Sequence, residues 1–158
     1  MISAYVAERK LRKWFIGERH INMKKDDCIF CKIANGQIPS RKLYEDDHFV
    51  VIMDLGPATK GHSLIIPKEH YANLYEMPAD LAGEAMKLVQ KMAIKMTDAL
   101  KADGFNLVQN NGEVAGQTVF HFHLHLIPRY KEDEPCITWT PQTVSGEELD
   151  QIKEMILS

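Results

Sequence analysis

The spacing of apolar positions changes several times along this chain, and each change marks an element. Between residues 41 and 66 the apolar residues fall in short runs. Two of these, 41–44 and 49–53, are split by the polar turn Glu45-Asp46-Asp47, and a third, 62–66, follows Gly61 and is stopped by Pro67. Runs of this length bounded by turn residues predict strands. Ahead of them, Cys28-Ile29-Phe30-Cys31-Lys32-Ile33 leads to a stop at Gly36 and to Pro39. From Pro78 the period lengthens. Leu81, Ala85, Leu88, Met92, Met96 and Ala99 recur at helical spacing until about residue 102, with Pro78 suited to a first turn and Gly104 closing the run. Residues 105–108 read as a strand, Asn110-Asn111-Gly112 as a turn, and 121–127 as the last strand, ended by Pro128. Ser145-Gly146-Glu147-Glu148 has capping-box spacing and opens a short helix with Leu149, Ile152 and Ile156 on one face.

Short turn-linked strands, one long inserted helix and another appended predict an α+β fold with a largely antiparallel sheet. There is no internal repeat or low-complexity stretch. Residues 1–25 stand apart as a basic extension with Arg9, Lys10, Arg12, Lys13 and Arg19. Within them, 4–15 has helical spacing, with Val6, Leu11, Trp14 and Phe15 towards one side. The plain reading is an appendage, with Met23 as a second potential start. A membrane-surface or partner-binding helix is the sharper reading, and nothing else in the sequence supports it. Residues 26–158 read as the domain, with a C-terminal tail and short helix.

Composition narrows the function classes. The 158 residues suffice for one domain with its own core. The formal net charge of -3 is not that of a protein neutralising many phosphates, so general nucleic-acid binding is not expected. One nucleotide still fits, because backbone N–H groups and a few side chains can hold it. No apolar run approaches a membrane span or a signal-peptide core, and three cysteines do not describe a disulfide framework. The expectation is a cytoplasmic protein without membrane attachment.

Candidate chemistry concentrates in His121-Phe122-His123-Leu124-His125-Leu126-Ile127. Side chains alternate across a strand, so the three histidines share one face, successive ones about 6–7 Å apart. Phe122, Leu124 and Leu126 then face the long helix. Such a polar face needs hydrogen bonds or water, which argues against a purely structural role. A row of imidazoles can bind a metal, or one can act as nucleophile or base oriented by its neighbours. The preceding loop, Asn110 to Thr118, is rich in glycine and small polar groups and can present N–H donors to an anion. Beside the histidines it favours a phosphate. Cys28-x-x-Cys31 leaves three readings open: a redox pair, which lacks its βαβ context, two buried thiols, or half of a zinc site. Cys136 lies beyond the motifs and reads as structural.

The His-apolar-His-apolar-His-apolar-apolar run resembles the motif that names the histidine-triad (HIT) family. Cys-Ile-Phe-Cys-Lys-Ile, Lys60-Gly61-His62 with Ile65-Ile66-Pro67-Lys68, and Gly116-Gln117-Thr118-Val119-Phe120-His121 stand in the same order as in that family. The resemblance covers about residues 26–130 and is nearest to the bacterial zinc-containing branch related to the Hint proteins. It implies a HIT-like fold: an antiparallel sheet of about five strands, one long helix and short terminal helices. It also implies a nucleotide hydrolase or transferase acting at the α-phosphate of a purine nucleotide, such as a phosphoramidate, an adenylate or a dinucleoside polyphosphate. In that scheme His123 is the nucleophile, forming a nucleotidyl-histidine that water resolves, and the main chain of His121 fixes its tautomer. His125, Gln117 and Thr118 contact the phosphate or leaving group, Asn110 and Gly116 the phosphate side. His62 supports the triad. Asp54 matches an acid that binds ribose hydroxyls, although a turn role before Gly56-Pro57 suits it equally well. A structural zinc would take Cys28, Cys31, His70 and His121. A homodimer is implied, with the tail after Pro128, including Trp139, shaping the partner's pocket. Two rival readings remain: a nucleotide-binding adaptor working through partners, and a zinc-dependent hydrolase with all three histidines as ligands.

Overall fold

The computed structural model describes residues 24–133, 137–138 and 140–158. The helical segment expected at 4–15, and Cys136 and Trp139, lie outside the described residues. Two helices and five strands make the body: α1 (Ile29–Ala34), β1 (Lys42–Glu45), β2 (Phe49–Met53), β3 (Ser63–Pro67), α2 (Ala79–Leu100), β4 (Gly104–Val108) and β5 (Leu124–Arg129). A third helix, α3 (Gly146–Leu157), follows the tail. The strands form one sheet in the order β1-β2-β3-β5-β4, every neighbouring pair antiparallel. The α+β expectation holds. Among the described residues no helix is long and apolar enough to cross a membrane.

The sheet is covered on both faces, which is why β2 and β3 are nearly all apolar rather than alternating. On one face Phe49, Val51, Ile65, Leu124 and Leu126 pack beneath the α2 stripe Ala85, Leu88, Met92 and Met96. On the other, Val50, Ile52, Leu64 and Ile66 pack against Ala34 of α1, with Phe30 and Ile33 alongside. Phe122 joins the α2 cluster as the alternation requires. The triad therefore faces α1.

Several details differ from expectation. The last strand begins at Leu124 rather than at residue 121. Its partner β3 ends at Pro67, which has no N–H to continue the ladder. Phe122 N–H instead donates to the Tyr71 carbonyl at 2.6 Å. The long helix is closed by Lys101 in the left-handed region (φ 56°) rather than by Gly104, which opens β4. Ala99, expected on the buried stripe, is exposed.

Candidate active site and metal centre

Backbone groups with only one hydrogen-bonding role set the protonation of every histidine in the site. His123 Nδ1 lies 2.7 Å from the His121 carbonyl. A carbonyl only accepts, so Nδ1 carries the proton and Nε2 keeps its lone pair. Among the described residues that Nε2 has no hydrogen-bond partner. His121 Nε2 lies 2.9 Å from the Pro67 carbonyl and must donate to it, which leaves the Nδ1 lone pair free. His62, just ahead of β3, has Nδ1 accepting from the Ala58 N–H at 2.9 Å. Its Nε2 therefore carries the proton and donates to His125 Nδ1, also at 2.9 Å. His125 Nδ1 is then an acceptor, and its Nε2–H is an outward donor.

Burial reinforces these neutral states. His121, His62 and His123 are 0%, 5% and 6% exposed. Loss of solvent pushes His121 down to about 4, outweighing its bond to Pro67. The same cause, aided by His123 and His62, takes His125 to about 4. Burial also lowers His62 and His123, against the pull of nearby Asp54. Phe30 stands edge-on to His123, ring centroids 5.0 Å apart, and walls that ring on the α1 side.

A second cluster sits next to the triad. Cys28 Sγ and Cys31 Sγ each lie 3.4 Å from His121 Nδ1, and Cys31 Sγ lies 3.4 Å from His70 Nδ1. The four ligand atoms are mutually within 4.8 Å. With zinc–sulfur bonds near 2.3 Å and zinc–nitrogen bonds near 2.0–2.1 Å, a tetrahedron has sulfur–nitrogen edges of about 3.5 Å. The donor set and spacing fit a tetrahedral Cys2His2 metal site. The fixed His121 tautomer fits too, with its lone pair towards the sulfurs and its N–H held by Pro67.

The remaining expected residues divide. Asp54 Oδ1 accepts from Gly56 N–H at 2.8 Å, the turn role, while Oδ2 lies 3.5 Å from His62 Nε2, at the site. Gln117 is 2% exposed, and its amide is spent on main chain: it accepts from Gly112 N–H at 2.9 Å and donates to Ala72 and Val119 carbonyls at 2.6 and 3.0 Å. It holds the loop in shape. Asn110 Nδ2 reaches the Gly116 carbonyl at 3.4 Å across the same loop, and Gly116 has φ 87°. Thr118 is exposed and lines a cavity of about 320 Å³ with Cys28, Ile29 and His70. Sequence reasoning missed Phe30, visible only as one apolar residue in the Cys-Ile-Phe-Cys run. It also missed the Ala58 N–H and the Pro67 carbonyl, which as main-chain groups leave no residue signature.

Asp54, His62 and His125 also converge. The Ala58 N–H occupies His62 Nδ1, so Nε2 keeps its proton and has no lone pair for a cation. In that trio His62 is hydrogen-bonded to His125, and Asp54 Oδ2 stands 3.5 Å from His62 Nε2 as a nearby charge. Among the described residues His121, His123 and His125 do not converge as a ligand set: His121 Nδ1 faces the cysteines, His123 Nδ1 the His121 carbonyl and His125 Nδ1 the His62 ring.

Comparison with known proteins agrees with this architecture. The HIT domain family model matches residues 35–132. "Protein hit" of Bacillus subtilis is 50% identical over 105 residues, covering 66% of this chain and 72% of the relative. The adenylylsulfatase HINT3 of Arabidopsis thaliana is 42% identical over 130 residues (82% and 64%). The adenosine 5'-monophosphoramidase HNT1 of Saccharomyces cerevisiae is 39% identical over 132 residues (83% and 81%). Among solved structures, SMU.412c from Streptococcus mutans superposes with TM-score 0.83 at 43% identity, covering 89% of this chain and 90% of that one. A zinc-bound histidine triad family protein from Mycobacterium smegmatis gives 0.66 at 34% identity (82% and 97%). With its histidine run, its five-stranded sheet and this family match over most of its length, the chain belongs to the HIT family.

Proposed function

We propose that this protein is a nucleotide hydrolase or transferase that attacks the α-phosphorus of a purine nucleotide through His123. The observation that carries the reading is the 2.7 Å bond from His123 Nδ1–H to the His121 carbonyl, which leaves a buried, neutral imidazole with its Nε2 lone pair free. In the first step Nε2 forms a bond to phosphorus while the bond to the leaving group breaks. The leaving group departs with its electron pair and takes a proton from the site. In the second step water attacks the nucleotidyl-histidine and restores the free imidazole. His125 presents its Nε2–H to the phosphate or leaving group, held in that tautomer by His62 and Ala58. Asp54 has one oxygen tied to its turn and one left over for a ribose hydroxyl. The loop held by Gln117 and Asn110 lies on the phosphate side, with Gly116 and Thr118 offering contacts there.

Two relatives support this reaction class by name, one as an adenosine 5'-monophosphoramidase and one as an adenylylsulfatase. Both names describe cleavage at an adenylyl phosphorus, with different leaving groups. A zinc ion held by Cys28, Cys31, His70 and His121 would staple α1 to the segment carrying the nucleophile. Its role is structural, since all four positions of a tetrahedral site are filled by protein. We further infer a homodimer. The β4 edge of the sheet is open to pairing and exposes Leu107.

One paired measurement tests this reading. Turnover of adenosine 5'-phosphoramidate and zinc content are determined on the wild type and on His123→Ala. The expected result is a loss of about three orders of magnitude or more in kcat with zinc retained. Zinc lost together with His123 would point to a metal-dependent hydrolase instead. Nucleotide binding without turnover in the wild type would point to an adaptor.

A further inference from the structure

Two sulfurs sit on one helical turn. Cys28 is the N-cap of α1, with extended backbone (φ -89°, ψ 120°), and Cys31 is the third residue of that helix. Side chains at these two positions face each other across the first turn. Cys28 makes no capping hydrogen bond, so its Sγ is not committed to the helix end. The two Sγ atoms lie within 4.8 Å of each other, and both thiols are free. On a helix, Cβ atoms three residues apart stand about 5–6 Å apart, and a disulfide needs about 3.5–4.5 Å. An adjustment of about 1–2 Å closes that difference. It falls on an N-cap, whose backbone already lies outside the helix.

The pair is also within reach of a small oxidant. Cys28 and His70 line a cavity of about 320 Å³ together with Lys25, Ile29, Thr118 and Phe120, all four of them exposed. A water molecule takes roughly 30 Å³ of liquid, and hydrogen peroxide is little larger. Metal and oxidant then compete for the same atoms. A thiolate is a metal ligand and a disulfide sulfur is a poor one. With the two sulfurs joined, only His70 and His121 remain of the four-residue donor set.

We propose that Cys28 and Cys31 form a peroxide-responsive dithiol–disulfide switch in which closing the disulfide and holding the metal exclude each other. One thiolate attacks a peroxide oxygen. An S–O bond forms, the O–O bond breaks, and hydroxide leaves and is protonated to water. The second thiolate attacks that sulfur. An S–S bond forms, the S–O bond breaks, and a second hydroxide leaves as water. The two electrons lost by the sulfurs reduce the peroxide, and an external thiol reverses the change. The exclusion rests on the metal reading given above.

The switch reaches the triad through two residues. Phe30 lies between the cysteines and packs edge-on to His123 and His121, ring centroids 5.0 and 6.0 Å away. His121 gives its Nδ1 to the cluster and its carbonyl to His123 Nδ1–H. Redrawing the first turn of α1 and releasing His121 Nδ1 therefore disturbs both the wall and the support of His123. A misplacement of about 1 Å can cost about a hundredfold in rate.

The test treats the full chain, zinc-loaded and zinc-stripped, with hydrogen peroxide. Trypsin cuts after Lys25 and Lys32, so residues 26–32 carry both cysteines on one peptide, apart from Cys136. The expected result is a loss of about 2 Da from that peptide in both samples. In the loaded sample zinc is released in step with it, and turnover of adenosine 5'-phosphoramidate falls about tenfold or more. Dithiothreitol followed by zinc restores all three. Zinc retained by a chain carrying the disulfide would overturn the proposal. So would a gain of about 32 Da as sulfinate without disulfide, a link to Cys136, or a pair that does not react. Unchanged turnover after zinc release would overturn the link to the triad. A chain that takes up no zinc would overturn the metal reading and the exclusion together, whereas one that binds zinc and forms no disulfide overturns the switch alone. The mass and zinc readouts stand even if the untreated chain shows no turnover, which would count against the catalytic reading only.

Discussion

Three histidines of one run come to differ because a different main-chain group faces each. The Pro67 carbonyl takes the His121 N–H, the His121 carbonyl takes that of His123, and the Ala58 N–H acts on His125 through His62. The alternation that put all three on one face was legible in the sequence. Their different protonation was not, because it is written in main-chain groups: the Pro67 carbonyl 54 residues from His121, the His121 carbonyl two residues from His123, and the Ala58 N–H in the loop before β3, which reaches His125 through His62. Gln117 shows the same limit. The resemblance marks it for the phosphate, yet its side chain is consumed by Gly112, Ala72 and Val119. The depressed histidines give a pH prediction. The neutral site persists below the ordinary histidine range, since His125 is held at about 4 and His62 and His123 are also lowered. The pH profile of kcat/KM should stay level from pH 8 down to about 5.5 and decline only below that. An acidic limb centred at or above the ordinary value of about 6.5 would contradict the assigned protonation states.

The elements were more legible than their ends. The α2 stripe is recovered as the roof of one core, and the β2 and β3 runs as strands covered on both faces. The misplaced ends have local causes: Pro67 stops the β3–β5 ladder early, and Lys101 takes the left-handed closing position expected of a glycine. Gly61, before His62, shows how an element's turn serves the site. It has φ 92°, and a Cβ there would collide with Leu100 Cδ1 and come within 3.2 Å of Pro128 Cγ. The helix α2 and β5 thus pack directly on the turn that aims His62. Gly61→Ala is expected to destabilise the protein by about 1–3 kcal/mol through strain and overlap. Urea unfolding measures this, and an unchanged midpoint would show that the turn is not held as described.

At the scale of the whole molecule, the cluster of Cys28, Cys31, His70 and His121 joins segments distant in sequence. It links α1, the chain after β3 and the start of the triad, adding to the Asn35–Lys68 and His121–Pro67 hydrogen bonds and the packing of Phe30 on His121 and His123. Cys28-x-x-Cys31 alone left redox, buried and zinc readings open, because His70 and His121 are 39 and 90 residues from Cys31. Folding supplies the missing half. Stripping the metal with a chelator is expected to lower the melting temperature by about 5 °C or more. An unchanged melting temperature after verified metal loss would remove the stapling role. The sign of the stability–pH dependence follows from the same buried imidazoles. Their folded pKa values lie below the unfolded ones, so the unfolded chain binds more protons in between. Stability is full above about pH 6.5 and falls as pH drops towards 4.

The central claim is that His123 becomes covalently nucleotidylated while a separate metal cluster stays intact. It is tested most directly by mixing enzyme with adenosine 5'-phosphoramidate, stopping the reaction in alkali to spare the acid-labile phosphorus–nitrogen bond, and mapping the adduct by mass spectrometry. The account predicts an adenylyl group on the peptide carrying residues 121–127, assigned to His123 and absent from His123→Ala. An adduct on another residue, or rapid turnover with no adduct at any time point, would contradict it.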